Sequence, residues 1–390
     1  MPARILFLSD TGGRMGGAAI SLASAITRLD RARFEPYAVL GSGGDFADLL
    51  ISLGVNVTIA ELPPIVRDTN PAVHFRNLSN LIRGCRAVLD VCRKNGIDII
   101  HANDNTVLFY AVVPSMICRC ASIWHVRSPI RKLGITGRFL ARHSTRILSC
   151  SESAALPVRE QAPKCIDRIR VLYDGVDAQQ IEEMSKQDSL RKLHDIPPDV
   201  PLAGMIGRIS ESKGQDVFIR AAVIIREMHP KARFVIAGSA IAGSEQALKA
   251  DEEYERKARR LVDELGIGDN VIFTGYSKNI PAIVKDLDAV VVPSRQEPLG
   301  LVALEAMALG VPVVASNVGG LCESITDKFN GLLVPPDAPG ALALAISKLW
   351  QDKQLVERLT ANGRQTVREK FSADAHAAAL QAIYDEIAVK

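Results

Sequence analysis

DAVVVPSRQEPLGLVALEAMALGVPVVAS, residues 288–316, carries a strand, a loop, a helix and another strand in one run. Its first part is an unbroken apolar stretch rich in β-branched side chains, the pattern of a strand covered on both faces. Pro293 and Ser294 end that strand at 288–294, a loop delivers Glu297, and Pro298 precedes a helix over 300–309. VPVVAS (311–316) is the next strand. Strand, helix and strand in that order make the crossover unit of a parallel sheet.

The alternation continues in both directions. Upstream lie the strands LAGMIGR (202–208), RFVIAG (233–238) and NVIFTG (270–275); downstream lies GLLVPP (331–336), with helices between that include 252–265 and 338–351. A separate series opens the chain. RILFLS (4–9), EPYAVLG (35–41), IDIIHAND (97–104), ASIWHV (121–126) and RILSCS (146–151) read as strands, with helices over 18–29 and 77–96. Between the two series, residues 175–200 are poor in strand signals and contain Pro197 and Pro198, so an interdomain linker is expected there. The fold class is α/β, with Rossmann-like parallel-sheet domains over 1–178 and 196–370 facing a central cleft. The last segment, 373–390, is expected as a helix crossing back onto the first domain.

Composition narrows the function. Hydrophobic residues make up 47% and charged residues 23% of the 390 positions, as in an ordinary globular protein. Aromatic residues at 5% argue against a single-stranded nucleic-acid binder, which needs stacking platforms, and no nucleic-acid partner is expected. Net charge is +3, but residues 61–146 hold 13 Lys/Arg against 5 Asp/Glu. That excess reads either as a solvated face or as a surface for an anionic acceptor or membrane. Within it, the helix 77–96 sets Arg83, Arg86, Arg93 and Lys94 opposite its apolar side. The seven cysteines include no Cys-x-x-Cys pair, which fits reduced thiols in a cytoplasmic protein. RILFLS is too short for a signal peptide, and no apolar stretch reaches the ~18 residues that span a bilayer. The expected location is cytoplasmic, with any membrane contact peripheral and at the inner face.

The first amides of the helix 300–309 have no intrahelical acceptor and carry the positive end of the dipole, which suits a diphosphate or a sugar oxygen. Gly300 lets backbone approach a ligand closely. Glu305 lies about 7 Å along the helix at ~1.5 Å per residue. Two carboxylates, Glu297 and Glu305, thus bracket an anion site. In GRISESKGQD (207–216), Arg208 and Lys213 flank a turn that ends at Gly214, and a diphosphate needs such cations.

Residues 295–316 resemble the Glu-x7-Glu signature of retaining glycosyltransferases with the GT-B fold, specifically glycosyltransferase family 4. Both glutamates fit, as do Pro-Leu-Gly after the first and Glu-Ala-Met-Ala-Leu-Gly-Val-Pro, which begins at the second. The resemblance implies that Glu297 bonds donor sugar hydroxyls and that amides of Leu299, Gly300 and Leu301 hold the sugar or its phosphate. It implies that Glu305 accepts from the ribose, and that Arg208 and Lys213 neutralise the diphosphate. It places His125 near the transferring sugar, with Arg127 close by. Gly16 and Gly17, in the loop GGRMGG (12–17), would let backbone approach donor phosphate and acceptor. Tyr276 and Lys278 would lie beside the nucleobase, and Asn103, with His101, would end near the acceptor. Asp286-Leu-Asp288 has the form of a metal-diphosphate motif but ends a helix and opens a strand, so it reads as structural. No metal or other cofactor is expected beyond the UDP- or GDP-linked donor. One position departs from the pattern: the family usually has Asn-Gly-Val-Asp where this chain has Asp174-Gly175-Val176-Asp177.

The expected activity is retaining transfer of a hexose from a nucleotide diphosphate sugar to a glycan or lipid-linked acceptor, in cell-surface polysaccharide synthesis. A nucleotide-sugar epimerase and a non-catalytic nucleotide-sugar-binding protein remain as alternatives at this point.

Overall fold

A computed structural model describes residues 1–10, 12–13, 15–63, 71–187, 189–240 and 245–388. Arg14, which interrupts the glycine loop, lies outside them. The chain divides into two compact units: Met1–Gly175 with the helix Ala373–Ala388, and Val176–Ser372.

The first unit is a seven-stranded parallel sheet of β1 (Ala3–Ser9), β2 (Phe34–Leu40), β3 (Asn56–Ile59), β4 (Ile99–Ala102), β5 (Ala121–Val126), β6 (Arg146–Ser149) and β7 (Ile169–Val171), in the order β3-β2-β1-β4-β5-β6-β7. Its central strands are apolar and buried because helices cover both faces. The two strands that the pattern missed, β3 and β7, are the sheet's edges. β3 is mostly exposed and β7 is three residues long, so neither carries a buried apolar run. The terminal helix Ala373–Ala388 buries His376, Ala377, Leu380, Tyr384 and Ile387 at helical spacing. Tyr384 is fully buried, edge-on to Phe34 at 5.7 Å and Phe7 at 6.4 Å. An anchor of this kind contributes roughly 1.5–3 kcal/mol from apolar burial.

The second unit is a six-stranded parallel sheet of β8 (Leu202–Ile206), β9 (Arg233–Ala237), β10 (Val271–Gly275), β11 (Ala289–Val292), β12 (Val313–Ser316) and β13 (Leu332–Val334), ordered β10-β9-β8-β11-β12-β13. In each sheet the winding reverses once, between β1 and β4 and between β8 and β11. Ligands bind at the carboxyl ends of the strands flanking such a reversal.

Residues 175–200 are not a bare linker. They carry the helices Ala178–Met184 and Leu190–Leu193, tied to the second unit. Asp286 accepts from Ser189 Oγ at 2.7 Å and from the Arg191 amide at 2.9 Å. Asp288 accepts from the Leu202 amide and from Arg191 Nη2, both at 2.8 Å. The two carboxylates of Asp286-Leu-Asp288 therefore hold a helix and a strand end together. The helices escaped notice because seven and four residues are too few to show a 3.6-residue period. Among the described residues, no helix is long and apolar enough to cross a membrane.

Candidate active site

In the second unit the reversal point gathers two loops. After β8 the chain forms a short 3₁₀ turn, Glu211–Lys213, closed by Gly214 at φ 77°. A Cβ on Gly214 would sit 2.3 Å from the Pro293 carbonyl, so only glycine lets this loop lie against the end of β11. Gln215, fully buried, donates to the Arg208 carbonyl at 3.0 Å and braces the same loop. The β11 loop responds in kind: the Arg295 amide donates to the Ser212 carbonyl at 2.8 Å, and the Arg295 guanidinium grips Asp216 at 2.8 and 3.0 Å.

These ties bring Lys213 Nζ to 2.7 Å from Glu297 Oε2, which also accepts from Ser294 Oγ at 3.0 Å. Glu297 is buried, while Lys213 keeps part of its side chain in solvent. Both of these contacts fall on Oε2 of the carboxylate. Gly300, at φ 89°, then starts the helix Leu301–Leu309. The Ala303 and Leu304 amides already donate to the Gly300 carbonyl, so those of Leu301 and Val302 lie ahead of the ladder. Glu305 is the one charged residue of this helix. No hydrogen bond or ion pair satisfies its carboxyl among the described residues, and burial pushes it up to about 7. Glu305 is half-buried, and a desolvated acceptor without a donor is a feature that a ligand's hydroxyls can complete.

In the first unit, β4 and β5 end in buried polar groups. Asn103, His101, His125 and Arg127 are each at most 8% exposed. His101 Nδ1 lies 2.7 Å from the Tyr384 hydroxyl and its Nε2 lies 3.2 Å from His125 Nδ1. Arg127 Nη2 is 3.3 Å from that same Nδ1, and its Nη1 pairs with Asp174. Burial, then the charge of Arg127, pushes His101 down to about 3 and His125 well below the ordinary imidazole range. Three buried atoms here have no partner among the described residues: Asn103 Oδ1, His125 Nε2 and Arg127 Nε. Just past the neighbouring strand β1, burial and then the charge of Asp104 push Asp10 up to about 6.

Comparison with known proteins places this architecture. The model of glycosyl transferases group 1 matches residues 186–366, and that of glycosyltransferase family 4 matches 15–180. An uncharacterized glycosyltransferase of Methanocaldococcus jannaschii is 30% identical over 296 residues, 71% of this chain and 72% of that one. The chain belongs to glycosyltransferase family 4. A lipopolysaccharide core biosynthesis mannosyltransferase of Rhizobium meliloti is 27% identical over 84% of this chain and 89% of its own length. The crystal structure of Anabaena HepE in complex with UDP and glucose shares the fold, with TM-score 0.81, 22% identity, and 98% and 99% of the two chains covered. The fold is GT-B, and the protein is a glycosyltransferase.

The residues singled out from the glycosyltransferase signature are placed unevenly. Lys213 and Glu297 are in contact, and Leu299 and Gly300 are buried beside them in the same loop. Leu301 begins the helix, half-buried, and Glu305 stands one turn further on. Arg208 shares the β8 loop with Lys213, but it is exposed and its Nε lies 3.6 Å from Asp251 Oδ2. It is not in contact with Lys213 or Glu297. Tyr276, half-buried, and Lys278, exposed, follow the end of β10. Gly16 caps the helix Gly17–Thr27 with an ordinary φ of −100°, and a Cβ on it would meet nothing within 4 Å. Neither backbone strain nor packing requires glycine at that position. His125, Arg127 and His101 form one buried, contacting group, while Asn103, also buried, donates to the Ala18 carbonyl at 3.2 Å. Sequence reasoning missed Ser294, Gln215 and Tyr384. Ser294 sits three residues before Glu297, a spacing too common to mark it; Tyr384 lies 283 positions from its partner.

Proposed function

We propose that this glycosyltransferase moves a hexose, with retention, from a UDP- or GDP-linked donor to a glycan or lipid-linked acceptor in cell-surface polysaccharide assembly. The observation that carries the reading is the Lys213–Glu297 contact, set at the sheet reversal beside the open amides of the helix Leu301–Leu309. A cation, a helix tip and an acceptor-only carboxylate together suit a sugar diphosphate. Lys213 and Arg208 supply the positive charge, so no metal is needed in the scheme. Glu297 Oε1 takes a sugar hydroxyl, Glu305 takes the ribose hydroxyls, and Tyr276 and Lys278 flank the base. Leu299, Gly300 and Leu301 present backbone to the phosphate.

In the reaction the bond from the anomeric carbon to the leaving phosphate oxygen breaks. The acceptor oxygen bonds to that carbon on the same face, and its proton passes to the departing phosphate. Lys213 and the helix tip stabilise the charge that grows on the diphosphate. In the first unit, His125, Arg127 and Asn103 face the sugar and acceptor, and Gly16 and Gly17 leave room for them. Related enzymes support the substrate class: Anabaena HepE was crystallised with UDP-glucose, and the Rhizobium relative is named for lipopolysaccharide core synthesis.

Peripheral attachment to an anionic membrane completes the proposal. On the helix Pro71–Asn95, Leu78 and Ile82 are exposed, as are Arg83, Arg86, Arg93 and Lys94. Apolar anchors beside a basic stripe are what an anionic interface recruits.

A thermal-shift screen of UDP-, GDP- and ADP-sugars tests the donor. A ligand at ~100 times its dissociation constant adds about 2.7 kcal/mol. Lys213→Ala should remain folded and lose on the order of a hundredfold in transfer rate. Full transfer activity in that variant would remove the site.

A further inference from the structure

His125 meets two groups at a single nitrogen. Its Nδ1 lies 3.3 Å from Arg127 Nη2 and 3.2 Å from His101 Nε2. A guanidinium offers donors and no acceptor, so Nδ1 must accept. The ring is neutral, because burial and Arg127 push it well below the ordinary imidazole range. A neutral ring whose Nδ1 accepts carries its proton on Nε2. That Nε2 is buried and has no partner among the described residues.

His101 extends the logic. Its Nε2 faces the same lone pair, so it is the protonated nitrogen, and its Nδ1 accepts from the Tyr384 hydroxyl at 2.7 Å. From Tyr384 through His101 to His125 every proton points one way, and the last N–H is unfilled. The groups around His125 are Arg127 beyond its own strand, His101 from β4, Tyr384 and His376 from the terminal helix, and Asp174 after β7.

The direction depends on where Arg127 is held. Asp174 pairs with it, the two side chains being 6% and 3% exposed, and accepts from Ser21 Oγ at 2.7 Å. A carboxylate has acceptor sites alone and balances the guanidinium charge beside two neutral imidazoles. The asparagine usual at this position offers one acceptor oxygen and no charge.

We propose that Asp174 is a positioning residue: by holding Arg127 against His125 Nδ1, it locks His125 as an Nε2–H donor toward an oxygen of the sugar substrate and withholds the ring from general-base duty. The inference rests on the proposed placement of the sugar at His125.

The test uses full-length protein labelled with ¹⁵N-histidine, its tautomers read by long-range proton–nitrogen correlation and assigned with His125→Gln. The expected wild-type spectrum shows His125 neutral and Nε2-protonated, without titration from about pH 5.5 to 8.5. In Asp174→Asn, which should fold, a second His125 tautomer or a ring titration should appear. A folded Asp174→Asn protein with an unchanged His125 signal overturns the role of Asp174. A wild-type ring protonated on Nδ1, or charged, overturns the lock whatever the enzyme transfers. His125→Gln, whose amide N–H can replace the donor, should retain at least tenfold more transfer than His125→Ala. Equal loss in both, with the wild-type tautomer as expected, removes the sugar from His125 and leaves the lock standing.

Discussion

Replacing Glu305 with glutamine should make the unliganded protein more stable at alkaline pH while weakening donor binding. Desolvation raises the Glu305 carboxyl from 4.5 to about 7, and no donor satisfies it among the described residues. In the unfolded chain the group ionises near its ordinary value. Between the two values the folded state binds more protons than the unfolded state, so stability falls as pH rises through this window. At roughly 1.36 kcal/mol per unit, the penalty is up to about 3 kcal/mol at pH 8 and about 1 kcal/mol at pH 5.5. Glutamine has no ionised form, so the pH-dependent part vanishes. The stability of Glu305→Gln relative to wild type should therefore grow by about 2 kcal/mol between pH 5.5 and 8. In a unit the size of Val176–Ser372 that is a differential shift of about 4–8 °C in Tm.

The same carboxylate should be useful once a nucleotide arrives. A charge-assisted hydrogen bond contributes roughly 1.5–3 kcal/mol, so Glu305→Gln should weaken UDP binding by on the order of ten- to a hundredfold. Binding to the wild type should release a proton near pH 7, because ribose hydroxyls stabilise the ionised form. Thermal melts at both pH values, with calorimetric titration of UDP in two buffers of different ionisation enthalpy, read both effects. If Glu305→Gln tracks the wild type at every pH and binds UDP equally well, Glu305 is neither strained by burial nor part of the donor site.

Two other outcomes follow from the first unit. His101 is depressed to about 3, so below about pH 6.5 the unfolded state binds the extra proton and stability falls as pH drops toward 3. Urea melts at pH 7.5 and 5 should show His101→Gln losing about 2 kcal/mol less than wild type, and equal losses would mean that His101 is not held neutral. Changing Arg83, Arg86, Arg93 and Lys94 together to glutamine should lower affinity for vesicles rich in anionic lipid by on the order of a thousandfold, at about 1 kcal/mol per charge. Unchanged cosedimentation would assign those residues to a solvated face.

What could be read from the chain follows from how each feature is encoded. β1, β5, β8 and β11 are legible because a strand covered on both faces must be apolar throughout. β3 and β7 are not, since an edge strand has a neighbour on one side and needs no such run. Glu297 and Lys213 belong to loops that close at the sheet reversal, so one βαβ unit and one glycine turn suffice to bring them together. The guanidinium of Arg208 is another matter. Its direction is decided by Asp251, which the helix Glu245–Glu264 delivers from elsewhere in the unit. Asp174 could be seen as a departure from a pattern, but its partner could not: Arg127 lies 47 residues away, and the two meet because β5 and the segment after β7 end at the same edge of one sheet. Tyr384 is harder still, because a tyrosine on an amphipathic terminal helix reads as core, and most of its ring is core. Its hydroxyl acquires a role through His101, whose own proton is directed by Arg127. Each step in that chain is a relation between side chains that share no local period. Hydrogen-bond direction enters when donors without acceptors and acceptors without donors are forced into one buried space, and a linear pattern holds no record of which groups those are.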